Sequence, residues 1–169
     1  FGSAMVLVFL SSTFNHSFLN GKAHEVFHIL DKSAIYLMIA GTYTPFSLVA
    51  LHGALGWVVF GVEWGFAILG IVAQSVFGKK YEKQLGVICV VIYIIMGWFA
   101  IAFIKPLLQV MTWGGIVFLF GGGVCYTLGV VFFAWRKLRY HHLVWHILVI
   151  AGAVMHFFSI FFYVIPIKI

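Results

Sequence analysis

Charge is what this sequence has least of. Only 8% of its 169 residues are Asp, Glu, Lys or Arg, where a soluble domain carries about 25%. Against that stand 64% hydrophobic and 19% aromatic residues. So few ionic groups cannot cover that much apolar surface in water, so the chain needs lipid as its solvent. Acidic residues number four, Glu25, Asp31, Glu63 and Glu82, which leaves a net charge of +6. The excess cations fall in short loops between apolar runs, which argues against a nucleic-acid partner. Cysteine is limited to Cys89 and Cys125, each inside an apolar run. A disulfide framework is thereby excluded, and both read as packed thiols. No linker is long enough to part domains, so a single transmembrane helical domain is expected over residues 1–169. The first basic residue, Lys22, follows the first apolar run instead of preceding it, which speaks against a signal peptide. A start at Phe1 without Met makes a piece of a longer protein the expectation.

What is there is a series of apolar runs. A bilayer core of about 30 Å takes about 20 residues of helix. Six stretches qualify: 1–18, 34–51, 55–77, 85–104, 111–134 and 143–166. They are solidly apolar, without the alternation of barrel strands, so the fold class is an all-α integral membrane bundle of about six spans. Pro45 predicts a kink in the second span and Pro106 a turn after the fourth. Gly121, Gly122 and Gly123 predict a loose or kinked fifth span.

Eight of the ten basic residues lie in alternate loops: Lys22 and Lys32, then Lys79, Lys80 and Lys83, then Arg136, Lys137 and Arg139. Six alternating helices put all three loops on one face, which the positive-inside rule makes cytoplasmic. Lys105 and Lys168 fall on the other side, with the C-terminus outside.

Metal-type residues gather toward that same basic face. His142 and His146 are four apart, hence on one face of a helix and able to hold one ion. Ser12 and His16 repeat the spacing at the end of the first span, and Asp31 opens the second. Three imidazoles with an open fourth position suit zinc, and Asp31 suits a general base. The bland alternative is a pair of interfacial histidines. A rival motif, His24-Glu25-Val26-Phe27-His28, matches the H-E-x-x-H of zinc proteases. It falls in a segment read as a short loop, with Val26, Phe27, Ile29 and Leu30 against the membrane, and it leaves His142 and His146 without a task. His156, about 15 Å beyond His146 along a helix, cannot share the ion and reads as a buried, hydrogen-bonded histidine. His141 reads as interfacial and His52 as solvated. Glu63, inside the third span, is a functional candidate or a shallow wet carboxylate. Thr42, Tyr43 and Thr44 read as structural groups able to bond across helices.

Ser12-x-x-x-His16, Asp31-Lys-Ser-Ala-Ile35 and Ala40-Gly-Thr-Tyr-Thr-Pro-Phe46 together resemble the bacterial hemolysin III family, grouped with the progestin and adipoQ receptors. His142-Leu-Val-Trp-His146 and Ala151-Gly-Ala-Val-Met-His156-Phe157 resemble the last helix of the adiponectin receptors. The resemblance implies seven spans, the family's first absent from this chain. It implies zinc on His16, His142 and His146, Asp31 acting through a zinc-bound water, and Ser12 beside the site. A wider superfamily containing alkaline ceramidases implies hydrolysis of lipid amide or ester bonds, with membrane lipids as partners. The competing expectations are a receptor-like sensor with structural zinc, a pore-former, and the H-E-x-x-H protease.

Overall fold

A computed structural model describes residues 1–18 and 20–167. Lys168, counted above on the outer face, and Leu19 lie outside the described residues. Helices account for nearly all of the chain, and no strand occurs among the described residues. In lipid no water can serve a backbone N–H or C=O, so each run must satisfy its own peptide groups as helix.

Six rods result. Helix α1 is Gly2–Ser17. Helix α2, Gly21–Pro45, continues as a π-helix over Phe46–Leu51. Helix α3 is Gly53–Phe77. Helix α4, Glu82–Trp98, tightens to a 3-10 helix at Phe99–Phe103 and runs on as α5, Ile104–Val110. Helix α6 is Trp113–Ala134, and α7, His141–Ser159, ends in a π turn at Ile160–Val164. Five rods are long and apolar enough to cross a bilayer. The exception is α1, whose 16 residues advance about 24 Å. The expected bundle of about six spans is thus six helices among the described residues, five of them of spanning length and the shorter α1 packed along α2.

Four other expectations change. The segment from Gly21 to Ser33, read as loop, is the first half of α2. Pro45 closes the α-helical part of α2, and the backbone goes on as π-helix instead of kinking freely. Hydroxyls take up carbonyls around this break: Thr42 donates to Met38 O, Thr44 to Ala40 O and Ser47 to Thr44 O. Pro106 is the third residue of α5 instead of a turn. A first-turn N–H has no intrahelical partner to lose, so proline is tolerated there. The three glycines leave α6 unbroken, because their use is close approach. A Cβ on Gly121 would lie 2.3 Å from the Met155 methyl, and one on Gly122 would lie 2.2 Å from the His156 ring. Small residues are how membrane helices pack without a hydrophobic drive.

The core centres on α2, 61% of whose apolar window is buried against 22–33% in the other spans. Tyr43 staples it to α4 where that helix tightens: its hydroxyl donates to Gly97 O (3.0 Å) and accepts from Ala100 N–H (2.8 Å). Trp64 Nε1 donates to Thr44 Oγ1 across to α3, whereas Thr42 bonds only within its own helix. Outward faces carry a belt of large apolar groups, including Trp57, Leu69, Val87 and Ile147.

Candidate metal centre

The end of α1 meets the start of α7 although 126 residues separate them. His16 lies in the last turn of α1, and His142 and His146 are one turn apart at the start of α7. Their ligand nitrogens all lie within 4.8 Å of one another. Nε2 of His142 is 3.3 Å from Nε2 of His16 and 3.0 Å from Nε2 of His146. The rings stand edge-on, at 71° to 87° to each other. Among the described residues this is the one cluster of His, Cys and carboxylate donors that close.

Hydrogen bonding accounts poorly for this geometry. Each ring nitrogen either donates once or accepts once, so His142 Nε2 cannot be well bonded to two other Nε2 atoms together. A shared cation accounts for it directly. Tetrahedral zinc with Zn–N of about 2.0–2.1 Å separates its ligand nitrogens by about 3.3 Å. The donor set therefore fits a metal, with three imidazoles and room for a fourth ligand.

Asp31, almost three turns into α2, stands outside the ligand cluster but within electrostatic reach of His16, His28 and His142. Its Oδ2 accepts from Asn15 Nδ2 at 3.0 Å. Asn15 directly precedes His16, so one turn of α1 supplies both an imidazole and the group that orients the carboxylate. The sequence reading gave Asn15 no role; its sole signal was adjacency to His16. Tyr93 of α4 donates to Lys32 O at 2.7 Å and anchors the turn that carries Asp31. Ser12 is half-buried one turn before His16.

The H-E-x-x-H residues lie on a helix, which removes one objection to a protease. The side chains of Glu25 and His28 are engaged elsewhere, however. Glu25 receives Lys79 at 2.8 Å, and His28 meets Glu82 at 3.1 Å, with Lys32 at 3.6 Å from the same oxygen. They clamp α2 to the α3–α4 turn. Phe27 stacks on Phe18 and tilts against Phe14, while Val26 and Leu30 are exposed. His52 is exposed at the α2–α3 turn. Glu63 is 1% exposed, with Oε2 unpartnered, beside an apolar cavity of about 160 Å³ between α3 and α4. Cys89 and Cys125 are free thiols.

A second cavity, of about 130 Å³, runs from near the imidazoles into the bundle. Val149, Ala153 and His156 line it on α7, continuing the face of His142 and His146. Ile35, Met38 and Thr42 do so on α2, continuing the face of Asp31, and Phe9 does so on α1. His156 is buried in its wall, Nε2 donating to Leu119 O.

Comparison with known proteins agrees with this architecture. The sequence matches the family described as "Haemolysin-III related" over residues 1–157. It is similar to "Hemolysin-3" of Bacillus cereus, 45% identical over 166 residues that cover 98% of this chain and 74% of the relative. The "Hemolysin-3 homolog" of Bacillus subtilis (strain 168) is 39% identical over 167 residues, 99% of this chain and 76% of the relative. More distantly, the human "Monocyte to macrophage differentiation factor" is 28% identical over 172 residues, 96% and 68% respectively. No solved structure matches significantly. A multi-pass helical bundle whose family match covers nearly its whole length, the chain belongs to the haemolysin-III related family of membrane proteins.

Proposed function

We propose that this chain is a zinc-dependent membrane hydrolase of lipid amide or ester bonds. The observation that carries the reading is the convergence of three Nε2 atoms beside an oriented carboxylate. His16, His142 and His146 would hold the ion. Zinc there would polarise a substrate carbonyl and lower the pKa of water toward about 7. Asp31 is the general base: Asn15 pins Oδ2, and Oδ1 is left to take the proton. Ser12, one turn before His16, would lend the site a hydroxyl. The cavity holds the acyl chain, which enters sideways between helices, so the reacting carbonyl is placed by apolar contacts along α1, α2 and α7. The basic loops set the metal end at the cytoplasmic face, with the end of α7 outside.

The test is metal analysis of purified protein combined with a panel of lipid amides and esters. His142→Ala should lose both zinc and turnover, and Asp31→Ala should lose turnover alone. A zinc-replete protein that cleaves nothing in a broad panel would overturn catalysis and leave a structural-zinc sensor.

A further inference from the structure

The wall of the cavity is not uniformly apolar. His156 is 7% exposed and lines it. Its Nε2 lies 3.0 Å from Leu119 O. A carbonyl only accepts, so Nε2 carries the ring hydrogen, and in the neutral imidazole Nδ1 is left as an acceptor. No protein group bonds that nitrogen, and none bonds the hydroxyl of Tyr126, although both atoms are shut off from the surroundings. Tyr126 lines the same cavity, and the two rings stand 5.3 Å apart at 66°. One offers an acceptor and the other a donor.

The pair is built into the helix packing. Gly122 makes room for the His156 ring, and a Cβ on Gly152 would come within 3.0 Å of the Tyr126 ring. Two glycines on facing helices thus admit two polar side chains where Leu or Phe would fill the core without unmatched atoms. Buried polar groups left unpaired are costly, more so in lipid.

We propose that His156 and Tyr126 form a subsite for a hydroxyl carried part-way along the ligand's hydrocarbon chain. The alcohol donates to His156 Nδ1 and accepts from Tyr126 Oη. A ketone satisfies only the tyrosine, and a carboxylate would bring an unpaired charge. The ten residues from His146 to His156 span about 15 Å. An extended chain advances about 1.25 Å per carbon, from C–C bonds of about 1.5 Å, so the hydroxyl belongs about twelve carbons from the carbonyl. This rests on the reading of the cavity as an acyl-chain site.

The test is equilibrium binding of radiolabelled fatty acids to the full chain in phosphatidylcholine nanodiscs, which needs no turnover. 12-Hydroxyoctadecanoic acid should bind about tenfold more tightly than octadecanoic acid. The 6-hydroxy isomer should show no such gain. Tyr126→Phe, checked for an unchanged melting temperature, should bring the 12-hydroxy preference to within about twofold of unity. Equal binding of the 12-hydroxy and unsubstituted acids would overturn the subsite, a water then serving both polar atoms, and leave the acyl-chain reading intact. A preference that persists in Tyr126→Phe would overturn it as well. Failure of every acid to bind would overturn the acyl-chain reading and this inference with it.

Discussion

Asn15 is the residue on which the proposed chemistry is most sharply testable. It neither binds metal nor touches the imidazoles, yet its amide holds one oxygen of Asp31. Groups that orient a metal site's partners typically contribute ten- to a hundredfold in activity or affinity. Asn15→Ala should therefore lower turnover on any substrate the panel identifies by about that factor, with zinc content unchanged. An equal loss of zinc would mean that Asn15 serves the fold of the site and not its carboxylate. The histidines are separable from it. His146→Ala removes one of three ligands, and metal analysis should show zinc falling to near background. Because imidazole binds metal only when unprotonated, acid dialysis of the wild type should release zinc as well. The meeting of the three histidines was legible because spacing alone puts His142 and His146 on one face, and alternation of spans puts His16 at the same end. The role of Asn15 was not, since an amide's partner sixteen residues away on another helix leaves no periodic trace.

Among the elements, α6 and α7 show how glycine position decides helix packing. Gly122 faces the His156 ring, so Gly122→Ala forces either ring or backbone to shift. Overpacking of this kind costs about 1–3 kcal/mol. Gly61 of α3, by contrast, is exposed with no atom within 4 Å of its would-be Cβ. Gly61→Ala should be neutral or gain about 0.5–1 kcal/mol from lost backbone freedom. Thermal unfolding of the two variants in one detergent should move the melting temperature in opposite directions, or leave Gly61→Ala in place. From sequence the glycine run in α6 suggested looseness, because composition cannot say which neighbour a glycine admits. The same limit explains the start of α2. Lys22, Glu25, Asp31 and Lys32 interrupt the apolar run and so read as loop. Helix formation does not require apolar residues, and the clamp of His28, Lys32 and Glu25 on the α3–α4 turn gives those charges partners.

At the scale of the whole molecule the charge pattern was the most legible signal, because it depends on the parity of spans and not on their boundaries. Miscounting the ends of α2 or α4 left it intact. The geometry carries the same pattern: Glu25–Lys79 and His28–Glu82 join the first half of α2 to the α3–α4 turn and the start of α4, and His16–His142 joins the end of α1 to the start of α7. All three basic turns therefore share one end of the bundle. Positive-inside bias is the ground for expecting that end on the cytoplasmic side, and surface labelling tests it. In a Cys89→Ala, Cys125→Ala background, Lys80→Cys and Lys137→Cys should resist an impermeant maleimide in intact cells and react after permeabilisation. His52→Cys and Thr112→Cys, at the opposite turns, should react without it. Labelling of Lys80→Cys in intact cells would place the imidazoles on the outer face, where they would draw on a different metal pool and a different leaflet of lipid.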